Sequence, residues 1–324
     1  MHNTQTLIIG AGLAGLTVAR SLRDAGKNVV VIDKARQPGG RMATRNSEHG
    51  DFDHGAQYLT NRTPEFSALL NPMVQSGALA AWKPSGKDSA RPWWVAHPGM
   101  SNFGEHLARG LPCRFQTEAV RITREAQGFE VHAKTGDGTD IVLTAEHVIA
   151  AIPAAQASRL LMPVDAAFAA LDQVEIAPCW AAMLAFERRL SEVPDLLRAE
   201  GDGVLALMVR NGSKPGRSGE TFVLHATPEW SRAHIDDDST EVAPALLEAM
   251  RRLSGLGADL PDPVHIATKR WLYALVETPL DAPFLANADN TLFACGDWCI
   301  GARIEAAHQS GMAVARHIMS LQTP

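Results

Sequence analysis

Apolar and polar residues alternate with different periods along this chain, and each change of period marks an element. Thr4–Ile9 is a short apolar run, Leu13–Leu22 spaces its apolar residues as a helix does, and Val29–Ile32 is a second apolar run that ends on Asp33. That order predicts strand, helix and strand in a βαβ opening. Glu146–Pro153 is another apolar strand, running into a proline, and Leu292–Trp298 is a strand ending in Gly296-Asp297 before a helix to about Met319. Between them the texture changes. Cys179–Glu187, Val204–Arg210, Thr221–Thr227 and His265–Ala274 read as strands bounded by turn residues. One strong helix, Thr240–Leu253, sits among them, with Pro244 in its first turn, where proline is tolerated.

The first strand runs straight into Gly10-Ala11-Gly12-Leu13-Ala14-Gly15. Gly10 permits a tight turn, Gly12 lets a pyrophosphate approach the backbone, and Gly15 lets helix and strand pack closely. The helix start offers unpaired N–H groups and a positive dipole end to phosphates. Asp33 lies about 20 residues beyond the glycines, where a carboxylate accepts hydrogen bonds from a ribose diol. Strand, glycines, helix, strand and acid together predict a dinucleotide site. A second match, Gly201-Asp202-Gly203 with Ala206, has its context reversed, because a strand follows it in place of a helix. It is rejected on that ground.

Just after the ribose acid come Lys34, Arg36, Gly39, Gly40 and Arg41. Nicotinamide dehydrogenases normally pass from that acid into a helix. A glycine loop here allows close backbone approach, and Arg41 offers a planar fork to phosphate oxygens. At the other end, Gly296-Asp297 followed by a small-residue helix start suits a ribityl chain and a pyrophosphate. The two halves of one cofactor site thus come from opposite ends of the chain, so its domain is discontinuous.

Bulk properties narrow the classes. With 324 residues the chain is long enough for two domains, and 46% hydrophobic with 20% charged residues describe an ordinary globular protein. A net charge of −6 argues against nucleic acid as a partner. The longest apolar stretch, Val148–Leu171, is interrupted by Pro153, Gln156, Arg159 and Asp165 and is no membrane span. The N-terminal apolar run reads as a strand and not a leader, so a cytoplasmic protein is expected. Cys113, Cys179, Cys295 and Cys299 make no disulfide framework, and the twelve histidines show no metal-ligand spacing, so no metal is expected.

The segment Asp33–Thr44 resembles the second glycine motif of the flavin amine-oxidase superfamily. Asp51–Thr60, His97–Ser101, Arg210–Arg217, Phe222–Arg232, Lys269–Ala274 and Cys295–Cys299 together resemble the bacterial renalases, a branch of that superfamily. Lys269 departs from the histidine of those relatives. The resemblance implies an α/β fold, with a discontinuous FAD-binding Rossmann-like domain on a parallel sheet, residues 1–60, 100–160 and 290–324. Residues 61–99 and 161–289 would form an α+β substrate domain on a mixed or antiparallel sheet. It implies noncovalent FAD held by Gly10, Gly12, Leu13, Ala14, Gly15, Asp33, Lys34, Arg36, Gly40, Arg41, Met42, Ala56, Gln57, Val120, Asp297, Arg303 and Ile304. Renalases oxidise the 2- or 6-dihydro isomers of NAD(P)H to NAD(P)+, and O2 yields hydrogen peroxide.

Loss of hydride restores an aromatic pyridinium without loss of an X–H proton, so such a site needs positioning and no general base. Gln57, Tyr58, Trp180, His225, Trp271, Tyr273 and Trp298 are the expected wall residues, with Arg270 and Arg303 as candidates for substrate phosphates. The expected partners are the small-molecule substrate and O2, with no nucleic acid, membrane or protein partner. A flavin amine or polyamine oxidase is the rival reading. Against it, Glu175–Phe186, the strand where those enzymes place a lysine, has none. A non-catalytic binding protein of the same architecture is the third reading.

Overall fold

The computed structural model describes residues 2–85 and 92–321 and divides into two compact units. Unit one comprises residues 1–40, 104–176 and 276–324, and unit two comprises residues 41–103 and 177–275. Three separated segments build unit one, as a cofactor site split between the chain ends requires. Residues 41–60, expected with the cofactor domain, cluster with unit two. There the hairpin of Thr44–Ser47 and Gly50–Asp53 buries Phe52 beside Met183, Ala185 and Val223 of the second sheet. Residues 86–91 of the expected substrate domain lie outside the described residues.

Unit one is built on an eight-stranded sheet. Its path runs Leu285–Ala286, Leu292–Ala294, Asp140–Ala150, His2–Ile9, Val29–Ile32 and Cys113–Arg114. The strand His2–Ile9 pairs in parallel with both Val29–Ile32 and Asp140–Ala150, and the latter pairs in parallel with Leu292–Ala294. Helix Leu13–Asp24 makes the crossover between the first two strands. The sheet is mixed, not purely parallel. Thr117–Glu125 and Gly128–Thr135 add an antiparallel hairpin, the second strand pairing with Asp140–Ala150. Charged, exposed residues occupy much of the first strand of that hairpin and blur its alternation, while Phe129, Val131 and Ala133 alternate on the second strand and are buried.

Helix Leu13–Asp24 packs on the last helix, Ile304–Ser320, through small residues. A Cβ on Gly311 would stand 2.5 Å from the Ala14 carbonyl oxygen, and the Thr17 hydroxyl meets His308 Nδ1 at 3.1 Å.

Unit two is an α+β layer. Its five-stranded sheet has the order Leu196–Arg198, Leu205–Arg210, Glu220–Ala226, Glu175–Phe186 and His265–Thr278, and its registered pairs are antiparallel. The two-residue period sends Trp180, Ala182, Leu184, Phe222 and Leu224 to one face. There they bury Val242, Leu246, Ala249 and Met250 of helix Ser239–Leu253. Asp238 and Glu241 close that helix start with a capping box. Val223 and Met183 point to the opposite face, against Phe52. The same face carries His225, two residues beyond Val223, and so holds the chemistry.

Candidate active site

In unit one the glycines form a cradle. Gly10 has φ +109°, and a Cβ there would stand 2.4 Å from the Ala151 carbonyl oxygen. A Cβ on Gly15 would stand 2.0 Å from the Gly10 carbonyl oxygen. Neither place admits a side chain. Gly12 is different, because a Cβ there would meet nothing within 4 Å, and Gly12 caps helix Leu13–Asp24 without a capping side chain. An open, uncapped helix start is what an anionic pyrophosphate requires. Gly40, at φ +55°, lies beside Gly12, its Cβ position 3.5 Å from the Gly12 Cα.

Asp33 ties this loop down. Its carboxylate accepts from Ala11 N at 2.6 Å and Ala35 N at 2.7 Å, on opposite oxygens. Lys34 and Arg36 are exposed beside it, Lys34 facing Glu118 at 3.6 Å. Val120 is 51% exposed at a register shift in its hairpin. Such a bulge releases backbone polar groups from the ladder. Asp297 is buried in a 3-10 turn, and Arg303 stands at the start of the last helix ahead of Ile304, with no side-chain cap. Leu13 and Ala14 are buried in the fingerprint helix. The cradle fits a dinucleotide such as FAD. Arg41, Met42, Ala56 and Gln57 belong to unit two, where Ala56 N donates to the Arg41 carbonyl at 2.9 Å.

Unit two holds a buried ionic cluster centred on Asp53. One Asp53 oxygen accepts from the Thr44 hydroxyl at 2.7 Å and Met100 N at 2.9 Å. The other accepts from Lys214 Nζ at 3.0 Å and Arg217 at 2.7 Å. Both salt-bridged side chains and Asp53 are sealed from solvent. Burial alone would raise the Asp53 pKa, but Lys214 and Arg217, aided by Met100 and Thr44, outweigh it and hold the group at about 2. Burial pulls Lys214 down to about 8, against the pull of Asp53. The turn Asn211–Ser213, directly after strand Leu205–Arg210, delivers Asn211 and Lys214 to this place.

Lys214 donates its other hydrogens to Gln57 Oε1 at 2.9 Å and Asn211 Oδ1 at 3.0 Å. Gln57 turns its NH2 toward the carbonyls of Asp53 and Gly55 and toward His225 Nε2 at 3.4 Å. His225 Nε2 also lies 3.3 Å from the His54 carbonyl, which accepts from Trp271 Nε1 at 3.0 Å. The His54 ring stacks on Trp271 with centroids 5.3 Å apart, and Lys269 Nζ lies 5.6 Å from the Trp271 ring. Burial takes both imidazoles down to about 4, helped at His54 by Arg45 and Lys269 and at His225 by Lys214. Both are neutral at pH 7. The assembly is a rigid set of neutral hydrogen-bonding and aromatic groups on a positively charged base.

The expected wall residues thus fall into two sets. Gln57, His225 and Trp271 come together. Tyr58 stacks on Trp93 at 3.9 Å and accepts from Arg198, and Tyr273 is half-buried on the strand of Trp271. Trp180 and Trp298 are packing positions instead. Trp180 is buried in the core under helix Ser239–Leu253 and donates to the His234 carbonyl, with Arg270 over its ring at 5.7 Å. Trp298 is 1% exposed in unit one and donates to the Ile152 carbonyl at 3.0 Å. Large rings bury readily, and sequence does not separate that from a wall. Asp53, His54, Asn211, Lys214 and Arg217 were not singled out from sequence. The available signal was two cations, Lys214 and Arg217, in the glycine- and serine-rich loop that follows Arg210.

Cys295 and Cys299 are both buried, and burial raises both thiols, Cys299 to about 12. Among the described residues, no three His, Cys, Asp or Glu side chains are grouped to hold a metal, and no helix is long and apolar enough to cross a membrane.

Residues 81–319 match the family of flavin containing amine oxidoreductases, and residues 8–72 match an NAD(P)-binding Rossmann-like domain. Among curated relatives, L-glutamate oxidase precursor of Streptomyces diastatochromogenes is 39% identical over 79 residues, 22% of this chain and 12% of that protein. Flavin-containing monooxygenase FMO GS-OX4 of Arabidopsis thaliana is 30% identical over 155 residues, 43% and 32% of the two chains. Polyamine oxidase 3 of Oryza sativa subsp. japonica is 33% identical over 88 residues, 27% and 18% of the two. The chain therefore spans at most about a third of the length of these relatives. A structure described as a protoporphyrinogen oxidase from Exiguobacterium sp. 255-15 superposes with a TM-score of 0.75 at 13% identity, covering 98% of this chain and 99% of that one. A double mutant of putrescine oxidase gives 0.71 at 14%, with the same coverage. At those identities the likeness is one of fold. The match over most of its length makes this chain a member of the flavin containing amine oxidoreductase family, with FAD as its cofactor.

Proposed function

We propose that the chain is a renalase-type oxidase that takes hydride from 2-dihydro or 6-dihydro isomers of NAD(P)H. FAD, when bound, supplies the hydride acceptor and passes the two electrons to O2. The dihydropyridine loses one hydride and becomes NAD(P)+, and O2 gains those two electrons and two protons, one derived from the hydride and one from solvent, to give hydrogen peroxide. The observation that carries this reading is the neutral set of Gln57, His54 and His225 held beside Trp271.

Groups with pKa values near 4 are weak bases at pH 7. They suit a substrate that surrenders hydride alone. Trp271 and Tyr273 supply aromatic surface to a pyridine ring, and Gln57 and His225 supply polar contacts to its carboxamide. In unit one we assign the pyrophosphate to Gly12, Gly40 and the helix start, a ribose diol to Asp33, and the flavin end to Asp297 and Ile304, held without a covalent bond.

The second reading, oxidation of an amine or polyamine, is favoured by the polyamine oxidase match. Anaerobic mixing of the purified flavoprotein with 2- and 6-dihydro-NAD isomers, and separately with a polyamine panel, decides between them. Bleaching of the flavin band by a dihydro isomer alone is the expected result. Bleaching by an amine alone overturns it, and a colourless protein that bleaches with neither leaves a binding protein.

A further inference from the structure

The Asp53 cluster carries an unbalanced charge. Lys214 and Arg217 share Asp53 as their carboxylate, at 3.0 and 2.7 Å on the same oxygen, and their side chains are sealed from solvent. One positive charge is therefore left over inside unit two. The remaining bonds of the pair do not neutralise it, since Arg217 donates to the carbonyls of Ala96 and Pro215, and Lys214 to the neutral amides of Gln57 and Asn211. Two further cations, Arg45 and Lys269, act on His54, where Asp53 is the opposing carboxylate. A protein core screens charge far less than water does, so the excess is felt at Gln57, His54 and His225.

Resting on the dihydro-NAD(P) reading of that site, we propose that Asp53, Lys214, Arg217, Arg45 and Lys269 form a specificity device that repels cationic amines and favours phosphate-bearing anions. Lys214 is its central member, because its Nζ bonds both Asp53 and Gln57, and Gln57 adjoins His225. A bare cation buried with half a counter-ion is costly to hold. Selection of substrate by charge is the return for that cost. A family fold whose relatives include a polyamine oxidase needs such a device to reject protonated amines.

The test follows two ligands of opposite charge in the holoenzyme. 1,4,5,6-Tetrahydro-NAD, whose ring is neutral and gives up no hydride, and a permanently charged quaternary diamine are titrated calorimetrically into the wild type, Lys214→Met, Lys214→Arg, Lys269→Gln and Arg45→Gln, and KM and kcat are measured with the dihydro isomers. Removing a positive charge should weaken tetrahydro-NAD about tenfold and tighten the diamine by a similar factor. KM should rise about tenfold without a matching fall in kcat, because the ring becomes a cation as hydride leaves and the lost charge no longer opposes it. Lys214→Arg should keep both affinities. A merely structural lesion weakens both ligands together. Loss of both affinities in parallel, or no change in either, overturns the proposal. If Lys214→Met does not fold, Lys269→Gln and Arg45→Gln, on less buried positions, carry the same opposite shift or refute it. Calorimetry needs no turnover, so a wild type that oxidises no dihydro isomer refutes the proposed reaction while the charge device is still judged by the two affinities.

Discussion

Lys214 donates to Gln57 Oε1 at 2.9 Å, and that single bond fixes which way the Gln57 amide faces. An ammonium has only hydrogens to offer, so the amide oxygen must point to Lys214 and its NH2 to the Asp53 and Gly55 carbonyls. Gln57→Met removes the amide without adding charge, leaving Lys214 one acceptor short and the Asp53 and Gly55 carbonyls without their donor. A loss of about 2 kcal/mol is expected from the unpaired buried groups. The urea midpoint should fall accordingly, with KM for a dihydro isomer rising more than kcat falls. An unchanged midpoint would refute these bonds of the Gln57 amide.

The glycine cradle predicts two opposite phenotypes from the same mutation. Gly15→Ala drives a methyl to 2.0 Å from the Gly10 carbonyl oxygen, so helix and strand must separate. A loss of about 3 kcal/mol is expected, with little flavin retained after purification. Gly12→Ala meets nothing within 4 Å, so the apoprotein should melt as the wild type does. Its methyl would stand on the proposed pyrophosphate path, and FAD affinity should fall. Thermal melts of both apoproteins with a flavin titration check the pair, and equal melts would contradict the packing at Gly15.

Why the cradle was readable and the ionic cluster was not has a physical cause. Gly10, Gly12, Gly15 and Asp33 act through local backbone geometry over one βαβ unit, so spacing alone reveals them. Asp53, Lys214 and Arg217 lie about 160 residues apart in sequence and meet only through tertiary pairing. Helix Ser239–Leu253 and three strands of the second sheet stood out because each buries apolar side chains, whereas His265–Thr278, largely part-exposed, stood out by its bounding turn residues. The hairpin Thr117–Thr135 buries Ile122, Phe129, Val131 and Ala133 but carries exposed charge along its first strand, and it stayed hidden. Trp180 and Trp298 show the limit in the other direction, since a tryptophan in a motif and one in a core look alike in sequence.

Acid should weaken the fold in a defined window. His54 and His225 have folded pKa values of about 4 against about 6.5 unfolded, so between those values the unfolded chain binds more protons. Their stabilising effect is complete above about 6.5 and is lost as pH falls toward 4. Each imidazole accounts for up to about 3 kcal/mol across that window. Asp53, held at about 2, adds its loss only below the ordinary carboxylate range. Urea titrations at pH 7, 5.5 and 4.5 should show stability falling in the wild type and less steeply in His225→Gln. Equal slopes for the two proteins would refute the burial of a neutral His225.

The alkaline limb should run the other way. Lys214 titrates at about 8 in the fold and near 10.4 when unfolded, with Asp53, Arg217, Gln57 and Asn211 around its ammonium. Between those values the unfolded chain binds the extra proton, so this group makes the fold more stable as pH rises. The same titration removes the excess charge from the cluster, because neutral Lys214 leaves Asp53 and Arg217 as a balanced pair. Discrimination between tetrahydro-NAD and a quaternary diamine should therefore fade as pH passes 8, although neither ligand titrates there. Calorimetry at pH 7 and pH 9 on the wild type, with Lys214→Arg as the variant that keeps its charge, checks this. Discrimination that fades equally in Lys214→Arg would assign the effect to another group and remove Lys214 from the charge device.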